Sequence, residues 1–330
     1  MNDVLITKIL NAYGVHATRI QPPQKGYRNE SYPVVLKGGQ TINVLLYKIE
    51  TGIATRIQNA NRVANFLAAN DYPARKQYDP RILQIRAGKR YKYCCLYEYL
   101  PGTTIPWEGY TQEHIKQLGQ YMSDMHAVLS TLDYSGLPSV AGEYAAIAER
   151  MQGYFAQPGV QRAMQQKLGV TIDHTIFERL QRMLAWARTL PGTHALHMDF
   201  VRGNILFNDV AQITGVLDFE KTAAGNAAFD IARTLAFLLV DCKYKQPDKI
   251  RKYFLQSGYH KRGSAPLPPQ ELIDSLVPMF LLHDFYKFLR HSPYESLAQN
   301  EHYTRTRDML LTSNLLINRH SREGGNPVKE

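Results

Sequence analysis

Two carboxylates and an amide in this chain have the spacing that work on a phosphate requires. His197-Met198-Asp199-Phe200-Val201-Arg202-Gly203-Asn204 places an acid in a loop and an amide five positions later. Gly215-Val216-Leu217-Asp218-Phe219-Glu220 then ends an apolar run on a second acid. Phosphoryl transfer from a nucleotide uses such parts in this order. One carboxylate receives the proton of an attacking hydroxyl, and an oxygen ligand with a second carboxylate holds Mg2+ against the phosphates. Mg2+ takes few protein ligands and prefers carboxylate and amide oxygens beside phosphate oxygens.

The surrounding residues support the geometry. Ile205-Leu206-Phe207 and the run Ile213 to Leu217 are short strand candidates around a turn at Asn208-Asp209. A hairpin there would bring Asn204, entering the first strand, beside Asp218, leaving the second. The spacing D-x-x-x-x-N alone is a weak signal and occurs by chance. The preceding His, the hairpin and the second Asp supply its context.

H-x-D-x-x-x-x-N followed by a strand-end L-D-F-E resembles the aminoglycoside phosphotransferase and choline kinase-like family of small-molecule kinases. The resemblance implies an α+β, two-lobed protein-kinase-like fold, with a small antiparallel-sheet N-lobe and a larger, mainly helical C-lobe. It implies Asp199 as the catalytic base, Asn204 and Asp218 as metal ligands, and ATP and Mg2+ as cofactors. The partner would be a small hydroxyl-bearing substrate. Ala224-Gly225-Asn226-Ala227-Ala228-Phe229-Asp230-Ile231-Ala232 is similar to the family's G-P-x-x-x-D-L-A segment, with Asn226 where Pro is usual. Val201 stands where many members carry His; neither change removes a catalytic atom.

Elements able to position these groups are readable in outline. Residues 3–13 have helical periodicity. Residues 31–36 and 41–49 are β-rich around Lys37-Gly38-Gly39-Gln40, a hairpin signal. Ile57, Ala60, Ala64 and Leu67 give residues 54–69 a helix spacing, and strand candidates follow at 82–86 and 91–99. The expected organisation is an N-lobe over 1–99, a linker over 100–104, a C-lobe over 105–317 and a disordered tail over 318–330. The tail holds almost no apolar residues, so it has little to bury.

Three nucleotide contacts are expected in the N-lobe. Gly26-Tyr27-Arg28-Asn29 lies where a phosphate-covering loop would be. A plain turn is equally compatible, and the resemblance, whose members show a similar G-x-x-N, favours Asn29 as a cofactor residue. Lys48 closes Val44-Leu45-Leu46-Tyr47-Lys48 and is the candidate to neutralise phosphates. Leu46 competes for that position, since a one-residue slip turns Lys48 to the other face. The following helix contains no Glu or Asp to pair with the lysine, which leaves one of its amides or Glu50 for that task, or means that Lys48 is not the nucleotide lysine. Glu98 and Leu100, beside Pro101-Gly102, are expected to hold adenine through backbone groups, as the resemblance implies.

The remainder reads as helical, at about 111–129, 175–190, 230–241, 249–257, 270–291 and 302–317. His126 and His197 are read as structural rather than catalytic. Asp230 is expected to steady the catalytic loop; simple helix capping is equally compatible. Asp284 is a candidate for an acceptor amine, with a solvated helix position as its plain alternative.

Composition narrows the class. The chain has 330 residues, 44% of them hydrophobic and 21% charged, and no apolar run of membrane-spanning length. Three cysteines without CxxC spacing argue against a disulfide framework or a thiolate metal site, and no signal peptide is visible, so a cytoplasmic location is expected. The net charge of +10 is concentrated between Lys243 and Arg262. A solvated helix face explains that stretch better than a nucleic-acid surface. The expected activity is ATP-dependent phosphorylation of a small molecule such as an amino alcohol, amino acid, aminoglycoside or sugar. The alternative is a regulatory nucleotide-binding pseudokinase.

Overall fold

A computed structural model describes residues 2–25, 29–88 and 90–318. The expected loop at Gly26 to Arg28 and the tail from Arg319 onward lie outside the described residues. The chain divides into two compact units. Met1–Ile105 forms the first together with Arg202–Thr222, and the second comprises Pro106–Val201 and the residues from Ala223 onward. The hairpin carrying Asn204 and Asp218 thus folds with the N-terminal segment.

The first unit is built on an antiparallel sheet. Its strands are β1 (Ala17–Ile20), β2 (Gln24–Lys25), β3 (Glu30–Leu36), β4 (Thr41–Tyr47), β5 (Leu83–Ala87) and β6 (Arg90–Glu98). They run in the order β1-β3-β4-β6-β5, with β2 also on β3. The central strands are buried on both faces, so they read as near-continuous apolar runs. Val44 and Leu46 face one way, packing with Leu96 and with Ile6, Ile9 and Leu10 of the helix Asn2–Ala12. Leu45 and Tyr47 face the other way, with Cys95 and Tyr97, and meet Ile53 and Ile57 of the helix Ile53–Ala69. Burial pushes the thiol of Cys95 up to about 11 and that of Cys94 to about 12. Neither is a thiolate at neutral pH.

Backbone pairing draws the second-half hairpin into this unit. Ile205–Phe207 and Ile213–Val216 pair antiparallel, as expected from the sequence. Phe207 exchanges backbone hydrogen bonds with Thr103 at 2.9 and 3.0 Å, and Val216 bonds to Pro73 and Arg75 at 2.7 and 3.0 Å. Gly102 lies so close to the hairpin that an added Cβ would meet the Thr214 hydroxyl, and its φ of +119° suits glycine alone.

The second unit is mainly helical, with long helices Gln112–Leu129, Val140–Phe155, Thr175–Thr189, Ala228–Asp241, Gln270–His291 and Glu301–Thr312. Thr111 caps the first of them, accepting from the His114 backbone N–H. Gly119 on that helix is in close approach to Gly258, where a Cβ would collide with backbone of the segment 252–260. That segment winds as a widened π-type turn, beyond the ordinary helix expected there, and buries Phe254 and Tyr259. Around it Lys243, Arg251 and Arg262 pair with Glu301, Asp274 and Asp124, so much of the basic stretch is locally neutralised. The last expected helix is shorter than its periodicity suggests: it ends at Thr312. Leu316–Asn318 instead forms a strand against Val170–Ile172, which moves Asn318 out of the expected tail. Among the described residues no helix is long and apolar enough to cross a membrane.

Candidate active site

The loop bearing Asp199 belongs to the second unit. The strand Thr193–Leu196 delivers it, paired with Ala223–Asn226. Asp230, in the first turn of the next helix, accepts the backbone N–H of His197 at 2.8 Å and of Met198 at 2.5 Å. Met198 adopts a φ of +60°, a conformation that two charge-assisted bonds to one buried carboxylate can hold. Asp230 thus steadies the loop, as expected. Burial alone would raise its pKa, but His126, His197 and the loop N–H outweigh that and lower it. His126 Nε2 lies 3.2 Å from Asp230, and its Nδ1 lies 2.8 Å from the Tyr259 hydroxyl. With the carboxylate as acceptor, His126 donates from Nε2 and accepts from Tyr259. His126 is therefore a packed structural residue, tying two helices to the loop. His197 accepts the Asp199 backbone N–H at Nδ1, 3.1 Å away, and Thr234 donates to the Phe200 carbonyl at 2.9 Å. Asp199 is left half-buried at the end of this locked turn.

Arg233, one helical turn beyond Asp230, is buried, and Asp199 and Tyr144 contribute to its electrostatic surroundings. It pairs with Asp284 at 3.5 Å, and Lys287 reaches the same carboxylate at 2.9 Å. Burial works against the Asp284 charge, but the two cations outweigh it and bring its pKa to about 2. The candidate amine contact is thus already engaged by two cations.

Asn204 and Asp218 lie in the first unit. Val216 pairs with Ile205, and the Leu217 N–H donates to the Asn204 carbonyl at 2.8 Å, so the two residues sit at the same end of the hairpin. Asp218 has a φ of +57°, which Asp tolerates better than most residues. Both side chains are half-buried. The donor set is all oxygen. Among the described residues no group of three His, Cys, Asp or Glu could hold a metal ion by itself. Mg2+ needs no such cage, because one or two protein oxygens suffice when phosphates supply the rest.

Asn29 is tied into this unit: its Nδ2 donates to Glu220 at 2.5 Å, and its Oδ1 accepts the Lys48 backbone N–H at 3.3 Å. Lys48 itself is exposed and follows the last residue of β4. Glu50 is occupied with Arg56 at 2.7 Å. The amide on the buried face of the helix is Asn61, which accepts from the Tyr97 hydroxyl at 2.7 Å. Glu98 ends β6; its N–H donates to the Lys76 carbonyl at 2.9 Å and its carboxylate pairs with Lys76 at 3.5 Å. Leu100 packs at Gly215.

Two residues here escaped the sequence reading. Glu220 is buried, and only the L-D-F-E motif hinted at it. Arg75 stacks over Tyr97 with its guanidinium carbon 4.2 Å from the ring centre. Its sequence neighbourhood, Tyr72-Pro73-Ala74-Arg75, carries no signal beyond a turn.

The chain matches the model of the phosphotransferase enzyme family over residues 19–256, more than half its length, and belongs to that family. No curated protein matches it at a significant level. Among solved structures it is similar to an amicoumacin kinase in complex with AMP-PNP, Ca2+ and Ami, with a TM-score of 0.67, 13% identity and 94% of each chain covered. A microcompartment-associated aminopropanol kinase gives a TM-score of 0.63 at 12% identity, covering 94% of this chain and 98% of the other. The apoenzyme of a macrolide 2'-phosphotransferase from Brachybacterium faecium gives 0.57 at 18% identity, with 99% of each chain covered. The fold is protein-kinase-like, with a sheet-based N-lobe and a helical C-lobe, and the chain is a small-molecule kinase by class.

Proposed function

We propose that this protein transfers the γ-phosphoryl group of ATP to a hydroxyl of a small molecule, within the range of amino alcohols, amino acids, aminoglycosides and sugars. The observation that carries the reading is the locked loop. Asp230 accepts the His197 and Met198 N–H groups, and His197 Nδ1 accepts the Asp199 N–H, so the half-buried carboxylate of Asp199 stands on a turn held by these bonds. In the proposed step Asp199 accepts the proton of the acceptor hydroxyl. The acceptor oxygen bonds to the γ-phosphorus, the bond to the β–γ bridging oxygen breaks, and ADP leaves. Asn204 and Asp218 would hold Mg2+, which when bound would neutralise charge on the phosphates. Asn29 and the backbone near Glu98 and Leu100 are proposed nucleotide contacts. A cytoplasmic setting, where ATP is abundant, suits the activity.

The second reading, a regulatory pseudokinase, draws on the helix Ile53–Ala69, which carries no acid. An ADP-release screen with Mg·ATP across the four acceptor classes separates the two. The kinase reading expects acceptor-dependent ADP release for at least one class. Tight Mg·ATP binding without release across all four would favour the pseudokinase.

A further inference from the structure

We infer that Arg75 is the phosphate-binding cation of this enzyme, and that the Tyr47–Tyr97–Asn61 chain holds it in place of the usual helix carboxylate. The inference deepens the kinase reading and rests on it.

A kinase N-lobe normally offers a strand lysine paired to a helix glutamate, so that lysine must lie on the sheet face the helix covers. On that face β4 presents Leu45 and Tyr47, and no cation. Lys48 is exposed beyond the strand end. The Tyr47 and Tyr97 hydroxyls lie 2.5 Å apart, and Tyr97 donates to Asn61 of the helix, which is 5% exposed. The strand-to-helix connection is therefore intact, but it is built from neutral groups.

The cation comes from elsewhere in the same unit. Arg75 lies over the Tyr97 ring, where the ring face attracts its charge. Ala74 pairs in parallel with Val216, and the Arg75 N–H bonds to the Val216 carbonyl at 3.0 Å. That register carries Arg75 alongside the residues leading to Asp218. Burial works against its charge, and Tyr47, Tyr97, Asp218 and Glu220 favour it. Among the described residues its buried Nε has no hydrogen-bond partner, so the guanidinium has donor capacity to spare. A guanidinium stays charged and offers a planar fork that matches two phosphate oxygens, which a lysine cannot do. A plain counter-ion to Asp218 and Glu220 would account for the charges, but not for the unused donor or the aromatic platform beneath it.

The two roles separate on ligands with and without phosphate. Wild type, Arg75→Met and Arg75→Lys are titrated with Mg·ATP and with adenosine, alongside Lys48→Met. Arg75→Met is expected to weaken Mg·ATP by at least about ten-fold, the scale of one lost charge-assisted hydrogen bond. Adenosine affinity should stay within about two-fold, a difference smaller than one neutral hydrogen bond. Arg75→Lys should recover part of the loss. If Arg75→Met does not fold, Tyr97→Phe provides the comparison. It unlinks the platform from Asn61 and should weaken Mg·ATP binding while adenosine binding is unchanged. Mg·ATP affinity close to wild type in Arg75→Met would overturn the inference, as would an equal loss for ATP and adenosine. Loss of phosphate affinity in Lys48→Met instead would restore the strand lysine and also overturn it. These titrations need no acceptor. A wild type that binds Mg·ATP but phosphorylates nothing would therefore sink the kinase reading alone, and one that does not bind Mg·ATP would sink both.

Discussion

Asp218 is the carboxylate proposed to carry the metal. It sits in a left-handed conformation just past a strand, with Asn204 tied to the neighbouring Leu217 N–H. Asp218→Ala is expected to weaken Mg·ATP binding and to lower turnover together, because it removes the carboxylate proposed to carry the metal. The cost should be several kcal/mol of charge stabilisation, read by nucleotide titration with and without Mg2+. Unchanged metal dependence would remove Asp218 from the ligand set. The hairpin that puts Asn204 and Asp218 at one end was legible because its two strands and turn are local in the sequence. Arg75 was not. The residues that give it meaning, Tyr97 and Val216 to Glu220, lie far along the chain, and a basic residue after a turn reads as solvated. The Lys48 expectation depended on strand parity, and β4 ends one residue before it.

Among the elements, the loop bearing Asp199 depends on the helix Ala228–Asp241. One carboxylate, Asp230, takes two loop N–H groups and the His126 ring. Asp230→Ala leaves buried donors unmatched and should destabilise by about 3 kcal/mol or more, at roughly 1.5–3 kcal/mol for each charged hydrogen bond. For a unit of this size that is a drop in Tm of about 6–12 °C. Thr234→Val loses only the bond to the Phe200 carbonyl, worth about 1 kcal/mol. Thermal unfolding of both variants should rank them in that order, and equal Tm values would show that the loop does not hang on Asp230. The helices with long apolar spacing were readable. Val140–Phe155 was missed, although Val140, Tyr144, Ala148, Met151 and Phe155 follow a helical period, because alanine and glycine dilute the signal. The π-type turn at 252–260 and the strand Leu316–Asn318 are set by tertiary contacts that periodicity does not record.

At the scale of the whole molecule, buried histidines set an acid limit on stability. Burial, with the neighbouring His126, lowers His194 from its ordinary 6.5 to about 4, and burial with Lys287 lowers His283 to about 3. Among the described residues the buried His194 Nε2 has no hydrogen-bond partner, so a proton there is unmatched. The unfolded chain binds these protons at higher pH than the folded one, so stability is full above about pH 6.5 and falls as pH drops towards 4. His194 alone should account for ~3 kcal/mol at the bottom of that window. His194→Gln should flatten the dependence of Tm on pH between 4 and 6.5, and an unchanged slope would contradict the assignment. The two units also divide the proposed chemistry: Asn204, Asp218 and Arg75 fold with the sheet, and Asp199 folds with the helices. Nucleotide binding and the acceptor step should therefore separate by mutation. The most direct test measures Mg·ATP affinity and acceptor-dependent ADP release side by side in wild type and Asp199→Asn. The account predicts affinity within a few-fold of wild type and turnover reduced by about 10²–10⁴, the range for losing a positioned general base. Turnover within a few-fold of wild type would contradict it.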